Sequence, residues 1–70
     1  MNRKFVNTAK QDEVFIVTLD RPEKKNALSR QMREELSEIL ADFEYNKDLR
    51  VLIITNSGDC FCAGSDLKEI

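Results

Sequence analysis

The sequence predicts an α/β fold, and within that class the β(β)αβ opening portion of a larger, mainly parallel domain that this chain leaves incomplete. Three observations carry the prediction. Two apolar runs, EVFIVTLD at residues 13–20 and RVLIIT at residues 50–55, have strand composition. The segment between them switches to helical period, which gives a strand, helix, strand order and a parallel pair. One helix covers one face of a sheet, so the other face of both strands needs a partner that these 70 residues do not contain.

Taken in order, FVNTAK at residues 5–10 is a weaker strand, and the QDE that follows suits a hairpin turn. In residues 13–20, Phe15, Val17 and Leu19 share one face and Val14, Ile16 and Thr18 the other, so both faces read as covered. Pro22 closes that strand, because proline lacks a donor and biases Arg21 toward extended backbone. A helix then starts at Asn26 or Ser29, both good N-cap types. Met32, Leu36, Ile39, Leu40 and Phe43 fall at offsets 0, 4, 7, 8 and 11, a single apolar stripe. Arg30, Arg33, Glu34, Glu35 and Glu38 take the opposite face. The helix frays at YNKD, residues 45–48, and residues 50–55 read as a strand buried on both faces of the sheet. Ser65 or Asp66 would cap a further helix at LKEI, of which about one turn is present, whereas isolated helices need roughly 12 residues.

Composition bounds the function. Residues 1–70 make one small, partial domain, with marginal stability unless disulfides, metal or oligomerisation help. Cys60 and Cys62 are the only cysteines, too close for an ordinary disulfide, which favours a reducing compartment. There is no histidine, so Ser-His and Cys-His nucleophiles are excluded within the chain and a zinc site lacks ligands. Eleven basic and thirteen acidic residues leave a net charge of -2, which argues against nucleic acid or an anionic membrane as partner. The longest aliphatic run is four residues, 51–54, far short of a membrane span, and the first residues lack the apolar core of a secretory signal. A cytoplasmic location is the default expectation.

Chemistry in such folds gathers at the loops after the strands. CAGSD, residues 62–66, offers a glycine turn and then free helix-start amides, which suit a phosphate or a carbonyl oxygen gaining charge. Taken alone, an ordinary glycine turn followed by a capped helix is the plainer reading. DRPEKKNALS, residues 20–29, sets Arg21, Lys24 and Lys25 beside a rigid Pro22, with Arg30 following, and suits a polyphosphate; a solvated basic turn offset by Asp20 and Glu23 is the plainer reading. Cys60 and Cys62 with Asp59 and Asp66 sketch a metal site, but two small apolar fillers around Phe61 explain them better, and no metal is expected. Ser65 has no base to make it a nucleophile.

VTLDRPEKKNALSRQM, followed after the helix by RVLIITNSGDCFCAGSDLKEI, resembles the N-terminal portion of the enoyl-CoA hydratase/isomerase (crotonase) superfamily. Three elements match in order: the Arg-Pro-x-x-x-Asn-Ala-Leu turn at 21–28, the strand at 51–55, and Phe-x-Ala-Gly-x-Asp-Leu-Lys at 61–68. The resemblance implies the opening of a crotonase-like (ClpP/crotonase) spiral fold. It implies a coenzyme A thioester as substrate carrier, with no prosthetic group. The Ser65 backbone N–H would be one of two oxyanion donors. Ala63, Gly64, Ser65, Asp66 and Leu67 would lie along coenzyme A, with Ala63, Asp66 and Leu67 toward its adenine end, and Lys24, Lys25 and Ala27 would form the other wall. The parent reaction would be hydration or isomerisation of an enoyl-CoA in fatty-acid-type metabolism. The second donor and the acid–base residues lie, in the family, beyond the matched portion. These 70 residues are therefore expected to be inactive alone, self-associating or completed by a chain that supplies the missing half. The alternative is a non-catalytic acyl-CoA-binding or interaction module.

Overall fold

The computed structural model describes residues 4–66. Its sheet has three strands, β1 (Val6–Gln11), β2 (Val14–Leu19) and β3 (Val51–Asn56), in the order β1-β2-β3. β1 and β2 form the expected hairpin, antiparallel from Val6 against Leu19 to Gln11 against Val14. Asp12 turns the chain at φ 55°, a left-handed step that Asp tolerates better than most side chains. β3 runs parallel to β2, from Val14 beside Val51 to Leu19 beside Asn56.

Helix α1 (Arg30–Tyr45) makes the crossover between β2 and β3. Of the two candidate caps, Ser29 starts it: the Ser29 hydroxyl accepts the Met32 N–H at 3.2 Å. Val6, Val17, Leu19, Met32 and Ile39 form the buried core, with Phe15, Leu28, Leu36 and Leu52 packed against it. The Phe15 and Phe43 rings stack at 6.3 Å between centroids.

Two helix residues depart from the sequence reading. Glu35, expected on the polar face, is buried at 3% exposure, while Leu40, expected in the stripe, is 41% exposed. The buried line is Met32, Glu35 and Ile39, spaced by three and four residues. Glu35 belongs there because Oε1 accepts two backbone N–H groups at the start of β1, from Phe5 at 3.0 Å and Val6 at 3.1 Å. These bonds replace lost hydration at Oε1, while Oε2 is buried without a hydrogen-bond partner among the described residues.

The sheet's second face is open, as the single helix implies, although each strand's own pattern reads as two-sided. Residues 50–55 read as buried on both sides, and residues 13–20 as covered on both, yet β3 is an edge strand with Val51 and Ile53 exposed at 48% and 45%. On β2 only Val17 and Leu19, which face α1, are fully buried. A single helix covers a single face, and Ile54 remains 42% exposed even on the helix side of the edge strand.

Candidate functional site

The parallel register of β2 and β3 delivers their C-terminal ends to one edge of the sheet, where the loops of residues 20–29 and 57–66 meet. The first loop turns through a 3-10 helix at Pro22–Lys24 and then two left-handed residues, Lys25 at φ 53° and Asn26 at φ 56°. Lys25 N–H donates to Pro22 O at 2.9 Å, Asn26 N–H to Arg21 O at 2.9 Å and Ala27 N–H to Lys24 O at 3.0 Å.

Asn26 is fully buried and joins the two loops. Its Oδ1 accepts the Arg21 N–H at 2.7 Å, and its Nδ2 donates to Ser57 O at 3.0 Å and Cys60 O at 2.8 Å. Sequence reasoning weighed Asn26 only as a helix cap. The available signal was a tight turn without glycine, in which asparagine is the side chain best suited to a left-handed step. Gly58, at φ 80°, lies close against the first loop: a Cβ there would stand 2.9 Å from Pro22 Cβ.

Beyond Asn26 the loops pair through their main chains. Ala63 N–H donates to Lys25 O at 3.1 Å, Leu28 N–H to Gly64 O at 2.7 Å, and Asp66 N–H to Leu28 O at 3.0 Å, a one-residue parallel bridge between Leu28 and Ser65. This pairing fixes a direction. Gly64 C=O and Ser65 N–H belong to one trans peptide and point opposite ways. With the carbonyl held by Leu28, the Ser65 N–H points away from the paired strip, and it meets no acceptor among the described residues.

The charged residues divide into two kinds. Arg21, read as a phosphate candidate, is instead an internal tie: Nη1 lies 3.0 Å from Asp66 Oδ2 and 3.1 Å from Ala27 O, and the guanidinium sits 5.4 Å from the Phe5 ring centroid. Lys24 and Lys25 are exposed at the same edge and pair with no carboxylate among the described residues. Arg30 is exposed on the first turn of α1.

Of the predicted site residues, Ala27, Ala63, Gly64, Ser65 and Asp66 are thus brought together, with Lys25 joined to Ala63 by its carbonyl. Leu67, and the helix expected at residues 67–70, lie outside the described residues. A cleft of about 280 Å³ between the loops is lined by Pro22, Lys25, Ser57, Gly58, Asp59 and Cys60. A wider open groove, about 460 Å³, runs along α1 past Arg30, Arg33 and Glu34 and does not include the Ser65 amide. Cys62 packs against the core, and its Sγ accepts the Gly64 N–H at 3.4 Å.

Comparison with known proteins converges on one family. The sequence profile described as enoyl-CoA hydratase/isomerase matches residues 9–70. YngF of Bacillus subtilis (strain 168) is 40% identical over 70 residues, covering 99% of this chain and 27% of that protein. A hydroxycinnamoyl-CoA hydratase-lyase of Pseudomonas fluorescens is 38% identical over 66 residues, covering 94% of this chain and 24% of the relative. Among solved structures, enoyl-CoA hydratase from Mycobacterium tuberculosis H37Rv superposes with a TM-score of 0.91 at 39% identity, over 94% of this chain and 30% of that one. An enoyl-CoA hydratase/isomerase from Mycobacterium paratuberculosis gives 0.95 at 32% identity, over 99% and 26%. The chain spans about a quarter of the length of the curated relatives it matches.

Proposed function

Because the chain belongs to the enoyl-CoA hydratase/isomerase family, we propose that it forms one wall of a site that holds an acyl-coenzyme A thioester, with the Ser65 N–H donating to the thioester carbonyl. The observation that carries this reading is the direction of that N–H, outward from the paired strip and without an acceptor among the described residues. When a proton leaves or water adds next to a thioester, negative charge collects on the carbonyl oxygen. A preorganised backbone donor lowers that barrier, and removing one such donor typically costs about 10²- to 10³-fold in rate.

The rest of the wall follows from the same geometry. Lys24 and Lys25 bring to coenzyme A phosphates ammonium groups that pair with no carboxylate among the described residues, while the main chain at Ala27, Ala63, Gly64, Asp66 and Leu67 lies along the carrier. The parent reaction is hydration of an enoyl-CoA or a shift of its double bond, within fatty-acid-type metabolism in the cytoplasm. One donor without proton-transfer groups supplies little catalysis. A second donor and the acid–base groups therefore come from outside these residues.

The test is an amide proton–nitrogen NMR spectrum of the chain with and without acetoacetyl-CoA. Shifts concentrated at residues 24–28 and 63–67 are expected. A bound ligand that shifts only the sheet face or α1 refutes the reading.

A second reading, a non-catalytic module completed by another copy or another chain, is favoured by the exposed Val51 and Ile53 on the open sheet face. Sedimentation of the chain with and without Ile53→Lys separates the two. Association abolished by the substitution while acetoacetyl-CoA shifts persist supports covering of this face, and a monomer in both cases counts against it.

A further inference from the structure

We propose that Arg21 is a positioning residue for the Ser65 amide, acting through Asp66. The inference rests on the reading of Ser65 as the thioester donor and names what aims it. Residues 57–66 contain no helix or strand, and Gly64 at φ 99° has open space where a Cβ would stand, so packing at Gly64 itself does not fix the 64–65 peptide. Its direction depends on hydrogen bonds. Before the peptide, Ala63 N–H is tied to Lys25 O and Gly64 O accepts from Leu28 N–H; after it, the single main-chain tie among the described residues is Asp66 N–H to Leu28 O, so the Ser65–Asp66 side is the less restrained one.

Arg21 supplies the missing restraint. A single guanidinium nitrogen contacts Ala27 O, just before Leu28, and Asp66 Oδ2, just after Ser65, which closes a ring around the donor peptide. Both side chains are mostly buried, at 14% and 13% exposure, so salt screens the pair little. Arg21 is itself anchored, its backbone N–H by Asn26 Oδ1 at 2.7 Å and its guanidinium by the Phe5 ring. A continuous set of contacts thus leads from the buried Asn26 through Arg21 and Asp66 to the donor. Positional error of about 1 Å in such a group can cost on the order of 10²-fold in rate, so the restraint has a functional consequence that a surface ion pair lacks.

The test uses the intact protein and butyryl-CoA labelled with ¹³C at the thioester carbonyl, read by difference infrared spectroscopy. In the parent, donation from Ser65 lowers the carbonyl stretch of the bound ligand below that of the free thioester. In Arg21→Gln the expected result is retained binding with the band moved back toward the free frequency, and in Asp66→Ala the band of the bound fraction moves the same way. If the band in the bound variants stays where the parent has it, the positioning role is overturned while the donor reading stands. If the parent itself shows no lowering, the donor reading fails first and the proposal with it. Should Arg21→Gln not fold, Asp66→Ala decides, because its side chain lies outside the hydrophobic core. If neither variant binds butyryl-CoA, the pair is a structural brace and the proposal falls.

Discussion

Replacing Asn26 by alanine removes the buried side-chain link between the two loops while their main-chain pairing remains, and the size of the effect can be worked from three contacts. The Arg21 N–H loses its acceptor at 2.7 Å and becomes a part-buried donor without a partner, which costs about 1–3 kcal/mol. Ser57 O and Cys60 O lose donors at 3.0 and 2.8 Å. Asn56 Nδ2 already reaches the same carbonyls at 3.4 and 3.3 Å, so their loss is partly offset and adds about 1 kcal/mol. Alanine at φ 56° is worse placed than asparagine, by about 1 kcal/mol. The sum is about 3–5 kcal/mol, a large share of the 5–15 kcal/mol that holds a typical domain. Native-state hydrogen exchange at Arg21 and Leu28 reads the change, since the Arg21 amide is held by Asn26 itself and the Leu28 amide by Gly64 O across the two loops. Asn26→Gly isolates the conformational part: it should recover about 1 kcal/mol relative to alanine. An alanine variant whose amides exchange within about 1 kcal/mol of the parent would refute the view that Asn26 holds the loops together.

Two further outcomes follow from the geometry. Glu35→Leu leaves the Phe5 and Val6 N–H groups without an acceptor and should lower stability by about 2–4 kcal/mol in urea unfolding, while Glu35→Gln, which keeps an acceptor but not the charge, should lose about half as much. Gly58→Ala should destabilise more than Gly64→Ala by the same assay: both positions carry positive φ and cost about 1–2 kcal/mol for that reason, but only at residue 58 would the new Cβ meet backbone-anchored Pro22 Cβ at 2.9 Å. Equal losses at the two glycines would remove the close approach of the loops from the account.

The strand, helix, strand order was legible because β-branched runs and helical period are local signals. Ser29, Pro22 and the glycine at 64 could be placed for the same reason. What was not legible depends on partners distant in sequence. Helical period assigns every glutamate to solvent, and nothing near Glu35 in the sequence announces two strand amides 29 and 30 residues away. Arg21 belonged to a short basic run and was read with its neighbours, yet its partner Asp66 is 45 residues on. The apolar run at 51–54 reports that a strand can be covered on both faces without reporting what covers it. Within these residues one face of β3 stays open, as expected for a sheet with one helix, and the likeness to longer proteins shows where such a strand occurs.

A backbone donor shifts the sequence requirement away from the residue that donates. Any side chain except proline presents an N–H at position 65, so the serine hydroxyl contributes nothing that the geometry demands. The demand falls on the peptide's direction. Gly64 permits the φ of 99° that turns the chain, Leu28 holds the Gly64 carbonyl, and Arg21 with Asp66 restrains the less restrained side of the peptide. Asn26 in turn fixes the backbone from which Arg21 reaches. In the proposed reading, donation by Ser65 would depend on the identity of residues whose side chains do not touch the thioester, and the Arg-Pro-x-x-x-Asn-Ala-Leu turn and the Ala-Gly-x-Asp segment would act as one unit. The first supplies the ties and the second the peptide they aim.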